Sequence, residues 1–322
     1  MKFLSFGTRK KNPRARSGEN FMLITLDCCR YDAYAEARKP FLDGIGKARQ
    51  AYSQGTYTFA SHASMFQGIL PHVFTPEPFY NRAIRQLWRM RDKTGKKPAL
   101  IEFPLDTGSI IGGFVSAGYH VAGTGAMNWF RDPKPLRESF PRFQYTGIDA
   151  KRQVSYIASE WKRRQGRPFF GFINFGEPHG PYMHDEMPGA ENVKGKSGTP
   201  DFRIRPNVAK LPSGEWKFDE ELYLRQVDCI SYLDARMADL LSELAEAGEG
   251  ITIAMCGDHG ECFGEEGLYG HGFYHPKIMQ VPMLIFRLNE DGRFTADVNE
   301  IGSRVDSASS SKAQPGVRPS SR

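Results

Sequence analysis

The stretch Ile251-Thr-Ile-Ala-Met-Cys-Gly-Asp-His-Gly260 joins an apolar run to a polar ending. Residues 251–255 have the length and composition of a buried strand. Gly257 and Gly260 allow the backbone to turn sharply and allow another group to approach closely. Between them, Asp258 and His259 offer the carboxylate and imidazole donors that bind hard and borderline metal ions. A loop in which Asp258 caps a helix and His259 is solvated is the alternative, and the dipeptide alone leaves both open.

The rest of the chain alternates between strand patterns and helix patterns. Apolar runs typical of buried strands occur at 21–26, 169–175 and 281–286, and a further strand is expected at 119–123. Helix patterns occur at 34–49, which Pro40 kinks or splits, at 61–67 with Ser61 as the N-cap, and at 109–117, 150–164 and 218–247. This alternation predicts an α/β fold, a three-layer α/β/α sandwich around a mostly parallel sheet.

Polar residues follow the predicted strands directly. Asp27 comes after the first strand, Glu177 and His179 come after the strand at 169–175, and Asp258 comes after the strand at 251–255. Ligands of such sheets bind beyond the carboxyl ends of the strands, so we expect these side chains to converge. Thr58 precedes a predicted helix, where unpaired N–H groups and the helix dipole favour anions.

Composition and charge indicate a globular chain with basic character confined to one end. The 322 residues are 40% hydrophobic and 25% charged, and the net charge of +6 equals the number of basic residues before Glu19. We expect a basic disordered tail at 1–19, one domain at 20–302 with an insertion or lid at 183–217, and a disordered tail at 303–322. A solvated arm is the favoured interpretation of the first tail, so a nucleic-acid partner is not expected.

The five cysteines show no metal-finger spacing, which favours free thiols in a reducing compartment. The first apolar stretch is too short for a signal peptide, and no run approaches the ~20 apolar residues of a membrane span. We therefore expect a cytoplasmic protein. Cys28 could ligate a metal beside Asp27, although a small buried thiol is the favoured interpretation.

Five segments resemble, in the same order, the sulfatase branch of the alkaline phosphatase superfamily. They are Leu26-Asp-Cys-Cys-Arg-Tyr-Asp32, residues 51–71 with Thr56-Tyr-Thr-Phe-Ala-Ser-His62 at their centre, Gly118-Tyr-His-Val-Ala-Gly123, Glu177-Pro-His-Gly-Pro-Tyr182, and residues 257–272, which begin Gly-Asp-His-Gly. The resemblance spans about 20–287 and implies an alkaline-phosphatase-like catalytic domain. It also implies a divalent metal ion (Zn, Mn or Ca), with one firm site and room for a second.

The resemblance also implies a role for each site residue. It places a metal ion between Asp27, Thr58, Asp258 and His259, and it makes Thr58 the nucleophile as well. His179 and His271 would contact the substrate anion, protonate the leaving group or hold a second metal. The residues expected around the substrate are His62, Asn128, Glu177 and His275.

The chain departs from true sulfatases at the nucleophile. There, a Cys or Ser matured to formylglycine lies in a Cys-x-Pro-x-Arg pattern, whereas here Thr58 takes its place and His62 replaces the arginine. The Gly-Lys-Trp-His segment of that family appears here as Gly125-Ala-Met-Asn128. These departures favour a metal-dependent hydrolase or transferase that acts on a small phosphate or phosphonate ester through a metal-activated Thr58. One alternative is hydrolysis of sulfuric esters, and another is a non-catalytic relative that binds an anion or a partner.

Overall fold

The computed structural model describes residues 19–68, 89–90, 102–103, 109–132, 135–188 and 218–296. The described residues do not include residues 1–18 of the tail expected at 1–19, the tail expected at 303–322, or residues 189–217 of the expected insertion. The strands are β1 (Asn20–Leu26), β2 (Arg49–Tyr52), β3 (Arg89–Met90), β4 (Glu102–Phe103), β5 (His120–Gly125), β6 (Arg142–Tyr145), β7 (Phe169–Phe175), β8 (Ile251–Gly257), β9 (Cys262–Phe263), β10 (Tyr269–Gly270), β11 (Gln280–Leu288) and β12 (Phe294–Thr295). The α-helices are α1 (Tyr31–Glu36), α2 (Pro40–Ile45), α3 (Thr58–Gln67), α4 (Ile110–Ser116), α5 (Pro135–Glu138), α6 (Ala150–Arg163), α7 (Glu220–Ala245) and α8 (Pro276–Met279).

An eight-stranded sheet forms the centre of the molecule. Its strands β8, β1, β7, β5 and β6 are neighbours in that order, and all of them pair in parallel. β11 lies antiparallel to β8 at one side and is itself paired with β2 and β12. The prediction of a mostly parallel sheet is therefore confirmed.

Helices cover both faces of this sheet, as the continuous apolar strands predict. On one face, Ile24 belongs to a core shared with Trp161 of α6 and Leu233 of α7. On the other face, Leu23 packs against a core that includes Phe66 of α3. Adjacent residues of β1 thus face opposite layers, which gives the expected α/β/α sandwich. Among the helices of the described ranges, none is long and apolar enough to span a membrane.

Two helix predictions need correction. The pattern at 34–49 is split at Pro40, as predicted, but its second helix ends at Ile45 and Arg49 begins β2. The helix predicted from Ser61 begins three residues earlier, because Tyr57 is extended (φ −162°) and Thr58 already has helical geometry. The Ser61 hydroxyl does not begin the helix. It lies 2.9 Å from the Oγ atom of Ser53, a residue of the loop that precedes the helix.

Strand register brings the polar endings of three strands to one level. Leu26 pairs with Phe175 of β7 on one side and with Gly257 of β8 on the other. The Asp27 N–H donates to the carbonyl oxygen of Phe175 at 2.9 Å, and the Asp258 N–H donates to that of Leu26 at 3.4 Å. The residues that follow β1, β7 and β8 therefore converge at one edge of the sheet, where ligands of α/β proteins bind.

Candidate metal centre and catalytic site

Asp27, Asp258 and His259 form the buried centre of the site. One donor atom from each of these side chains lies within 4.8 Å of the other two. His259 Nε2 is 3.5 Å from Asp258 Oδ2 and 3.9 Å from Asp27 Oδ1. The other ring nitrogen of His259, Nδ1, donates to the carbonyl oxygen of Gly260 at 2.9 Å. This bond directs Nε2 toward the two carboxylates, as the second partner of a metal-binding histidine usually does.

The two carboxylates of this centre differ in their surroundings. Asp258 Oδ1 accepts the N–H groups of Cys28 at 3.1 Å and of His259 at 2.8 Å, whereas Oδ2 is buried and has no hydrogen-bond partner among the described residues. Burial and the nearby Asp27 carboxylate raise the pKa of Asp258 well above its usual value. Burial opposes ionisation of Asp27 too, but three histidines and the Asn174 amide outweigh it and lower the pKa of Asp27.

Thr58 joins this centre from the first turn of α3. Its hydroxyl donates to Asp27 Oδ1 at 3.3 Å and lies 3.5 Å from His259 Nε2. The loop before α3 is tied to the same centre, because the Ser53 hydroxyl donates to the backbone carbonyl of Asp258. Thr58 is almost fully buried, so its oxygen faces the carboxylates and the imidazole, with the N–H groups of the helix N-terminus beside it.

His179, His271 and Cys28 lie beside the centre. The rings of His179 and His271 are 5.6 Å apart, and the His271 ring is 4.5 Å from that of His259. Cys28 Sγ is 3.6 Å from His271 Nδ1 and 4.0 Å from His259 Nε2. Cys28 has a left-handed backbone (φ 59°) and is fully buried. The thiol therefore belongs to the site, which the interpretation of Cys28 as an ordinary buried thiol did not anticipate.

Glu261 and Tyr182 complete this side of the site and escaped the sequence analysis. Both oxygens of the Glu261 carboxylate approach His271 Nδ1, at 3.1 and 3.2 Å, and the Tyr182 hydroxyl donates to Oε2 at 3.1 Å. Glu261 is 1% exposed. The sequence offered one indication of its role, namely its position two residues after His259. A buried acidic side chain usually has a partner.

Three of the residues expected around the substrate have structural contacts instead. The His62 ring is fully buried, with Nδ1 donating to the Thr58 carbonyl oxygen at 2.7 Å and Nε2 lying 2.9 Å from Thr25 Oγ1. The Glu177 carboxylate accepts the N–H of Ala150 at 2.7 Å and so caps α6. His275 Nδ1 accepts the N–H of Lys277 at 3.1 Å and caps α8.

The contacts of His62 set its charge state and its position. Burial lowers the pKa of His62 to about 4, so the ring is neutral near pH 7. Nδ1 lies 3.6 Å from Asp258 Oδ2, so the imidazole adjoins the candidate metal centre. His62 therefore contacts Thr58 and Asp258 inside the protein, and the expectation that it contacts substrate is not met.

Asn128 is exposed and begins a short 3₁₀ helix after β5, Asn128–Phe130. The next residue, Trp129, is 39% exposed and packs against Phe59 at 5.2 Å and Tyr57 at 6.1 Å between ring centroids. Tyr57 and Phe59 flank Thr58 in the chain. Asn128 thus lies near the N-terminus of α3, and its contact with the substrate stays a prediction.

The residues present fit a divalent metal ion. Asp27, Asp258, His259 and Thr58 offer two carboxylates, an imidazole nitrogen and a hydroxyl, a donor set suited to Zn²⁺ or Mn²⁺. Asp258 Oδ2 is buried and unpartnered among the described residues, so it lacks the hydrogen bond that nearly all buried polar atoms make. A cation between Asp258 and Asp27 would supply that partner and offset the burial of two neighbouring carboxylates.

Comparison with protein-family models matches residues 40–310 to the family described as Sulfatase. The matched range includes Thr58, Asp258 and His259 and begins after Asp27. A comparison with curated protein sequences gives no significant match.

Several solved structures are similar to this chain. The C-terminal periplasmic domain of phosphoethanolamine transferase EptC from Campylobacter jejuni is 13% identical, with 89% of this chain and 82% of that chain covered and a TM-score of 0.55. The candidate sulfatase YidJ from Bacteroides fragilis is 15% identical, with 87% and 70% covered and a TM-score of 0.56. The C-terminal periplasmic domain of EptC from Escherichia coli, in complex with Zn, is 13% identical, with 85% and 74% covered and a TM-score of 0.50. At these identities the likeness concerns the fold, and it confirms the alkaline-phosphatase-like architecture.

Proposed function

This chain belongs to the sulfatase family, and we propose that it is a metal-dependent enzyme that cleaves or transfers phosphate or phosphonate esters through Thr58. The observation that carries the proposal is the position of Thr58 Oγ1, 3.3 Å from Asp27 Oδ1 and 3.5 Å from His259 Nε2. A buried threonine hydroxyl inside a cluster of candidate metal ligands is placed for nucleophilic catalysis.

Asp27, Thr58, Asp258 and His259 would hold the metal ion, which when bound would lower the pKa of a hydroxyl and neutralise charge on the transferred group. The protein supplies the rest of the chemistry. The Thr58 hydroxyl would lose its proton to solvent as the oxygen bonds to phosphorus and the bond to the leaving oxygen breaks, because Asp27, to which it donates, has a lowered pKa and is a weak base. The N–H groups at the start of α3 stabilise charge on the transferred group.

His179 and His271 would contact the substrate. The Nδ1–H of His179 donates to the carbonyl oxygen of Gly180 at 2.7 Å, which directs Nε2 of that ring away from its own loop. Together with His271, this nitrogen could hold an oxygen of the anion or protonate the leaving group. Water or an acceptor alcohol would then release the phosphorylated threonine, giving hydrolysis or transfer.

Hydrolysis of sulfuric esters is the second candidate, because the family that matches residues 40–310 is described as Sulfatase. The residue at the nucleophile position decides between the two candidates here. Thr58 is neither of the residues that mature to formylglycine in true sulfatases, so the phosphorus ester is the favoured substrate class.

The test is an activity panel on purified protein loaded in turn with Zn²⁺, Mn²⁺ or Ca²⁺, after metal content has been measured by elemental analysis. The substrates are aryl esters of phosphate, phosphate diester, phosphonate and sulfate. We expect turnover of a phosphorus ester that needs metal, and a fall of at least about 10³-fold in Thr58→Ala, since a nucleophile is removed.

Thr56→Ala is the matched control, because Thr56 is a buried threonine two residues away and its backbone carbonyl, not its side chain, accepts the N–H of Gly272. Full activity of Thr58→Ala would refute the assignment of Thr58 as the nucleophile. Preference for the aryl sulfate would favour the second candidate, and tight anion binding without turnover would favour a non-catalytic relative.

We also propose a reducing, cytoplasmic location for the chain. The support is that all five cysteines are free thiols in the structure, four of them buried. The similar EptC domains are periplasmic by description, so the two locations differ and fractionation of cells that express the native chain is the direct measurement.

A further inference from the structure

Glu261 and His271 face each other across a hairpin. In the antiparallel pair β9–β10, Phe263 lies opposite Tyr269 and Cys262 lies opposite Gly270. The same register places Glu261 opposite His271 at the next position, where the hairpin reaches the catalytic edge. Their contact is therefore set by the backbone and does not depend on a chance side-chain conformation.

The geometry of this contact determines which nitrogen of His271 carries the hydrogen. Both Glu261 oxygens approach Nδ1, at 3.1 and 3.2 Å, and a carboxylate only accepts, so Nδ1 carries the hydrogen. Cys28 Sγ lies near the same nitrogen, at 3.6 Å. The ring itself is 4.5 Å from His259 and 5.6 Å from His179, so it is packed among the groups around Thr58.

Glu261 is itself held in place. The Tyr182 hydroxyl donates to Oε2 at 3.1 Å, and the Tyr182 ring packs against Phe263 with 5.3 Å between centroids. Glu261 is 1% exposed and Tyr182 is 2% exposed, so water does not compete for these bonds. Tyr182 therefore holds Glu261 in place, and Glu261 in turn holds His271.

We propose that Glu261 is the positioning residue of His271, and that it holds the ring with Nδ1–H toward the carboxylate, so that Nε2 is the basic nitrogen of the ring. This inference rests on the proposed function for its reaction, but the tautomer and orientation of His271 can be measured without turnover. Carboxylates that orient a histidine in this way typically change affinity or activity about 10–100-fold when they are removed.

The variant that tests the proposal is Glu261→Gln, which keeps the shape of the side chain but adds an N–H₂ group that competes for Nδ1. Glu265→Gln is the matched control, since Glu265 lies in the same loop but bonds Arg30 and the N–H of Phe263, both at 2.6 Å. Tyr182→Phe is the milder second variant, because it leaves the carboxylate in place and removes only its support.

The first measurement is the tautomer of His271. Long-range ¹H–¹⁵N spectra of protein labelled in the histidine rings report which nitrogen carries hydrogen, and loss of one signal in His271→Asn assigns it. We expect Nδ1–H in the native protein and in Glu265→Gln, and a mixture of tautomers in Glu261→Gln. An Nε2–H tautomer in the native protein, or an unchanged His271 signal in Glu261→Gln, would overturn the proposal.

The second measurement is kinetic, on the best ester from the activity panel. We expect Glu261→Gln to lower kcat about 10–100-fold with little change in KM or metal content, and Tyr182→Phe to lower kcat only a few-fold. If Glu261→Gln does not fold, Tyr182→Phe is the deciding variant. An unchanged kcat in Tyr182→Phe would then refute the proposal that Tyr182 and Glu261 hold His271 in position. If the native protein turns over no ester, the proposed function fails while the tautomer spectra still decide the role of Glu261.

Discussion

Asp258 and Asp234 are two buried aspartates whose replacement by asparagine should change stability in opposite directions. Asp258 Oδ2 has no hydrogen-bond partner among the described residues, and a second buried carboxylate, Asp27, lies nearby. Asp234 is 5% exposed, and its two oxygens accept the N–H groups of Phe41 at 3.0 Å and Leu42 at 2.8 Å at the start of α2. One oxygen of the Asp258 carboxylate would gain a partner if a cation bound, whereas both oxygens of Asp234 already accept hydrogen bonds.

In metal-free protein, Asp258→Asn should be stabilising. The amide keeps the oxygen that accepts two N–H groups, and its new N–H₂ group can donate to His259 Nε2, 3.5 Å from the replaced oxygen. Satisfying one buried polar atom is worth about 1–3 kcal/mol. A central value of about 2 kcal/mol corresponds to a rise in Tm of roughly 4–8 °C.

Asp234→Asn should instead destabilise the protein by a similar amount. One of its two accepting oxygens becomes a donor that faces a backbone N–H, which costs about 1–3 kcal/mol. The negative charge at the start of α2 is also lost, at about 0.3–1 kcal/mol. This loss should be the same with and without metal, because the residue lies at α2 and not at the candidate metal centre.

The assay is thermal unfolding followed by circular dichroism in chelator and in excess metal. Metal at about 100 times its Kd stabilises the native protein by about 2.7 kcal/mol, or roughly 5–10 °C, and this rise should vanish in Asp258→Asn. The reasoning would be refuted if Asp258→Asn lowered Tm in chelator as much as Asp234→Asn does. An undiminished metal-induced rise in Asp258→Asn would refute the ligand assignment.

Three further changes test other parts of the site and its frame. Asn174→Ala should weaken metal binding about 10–100-fold in a competition assay with a chelating dye, because the Asn174 amide donates to Asp27 Oδ2 at 3.0 Å; unchanged affinity would contradict this role. Gly260→Ala should lower Tm or prevent folding, since its Cβ would collide with a backbone carbonyl of α8, whereas Gly44→Ala meets no atom within 4 Å and should fold normally. Adjacent Arg30 and Lys277 lower the pKa of Asp32, although burial opposes them. The ionised carboxylate therefore stabilises the folded protein at pH values above the unfolded pKa of about 3.9. Asp32→Asn should lower the free energy of unfolding at pH 7 and lower it progressively less as the pH falls below 4, which urea titrations at several pH values would measure.

The sequence predicts the sheet well because its central strands are buried on both faces. Such strands appear as uninterrupted apolar runs, as at 169–175, and each is followed by the polar residues of the site. The start of α3 was harder to predict, since Tyr57 makes no side-chain capping bond that the sequence could reveal. There, the loop anchored by Ser53 determines where the helix begins.

Motif resemblance identifies residues but not the direction in which they face. His62 and Glu177 belong to segments that resemble a known active site, and His275 closely follows another, yet each is bonded to a backbone group. Glu261 was missed for the converse reason. Its partner, His271, is ten residues later across a hairpin of two-residue strands, which is too short to produce a recognisable alternation.

The place of β8 in the sheet has a consequence for the order in which the protein matures. Cys28 donates its N–H to Asp258, a residue 230 positions later in the chain, and the two residues follow adjacent strands, β1 and β8. A contact of such long separation forms only after most of the chain is available, because closing that loop costs entropy that earlier contacts do not repay. A nascent chain that ends before β8 would carry Asp27 and Thr58 without their partners. We therefore expect the metal to be acquired late, by a nearly complete chain, and the cell's supply of metal to matter after synthesis and not during it.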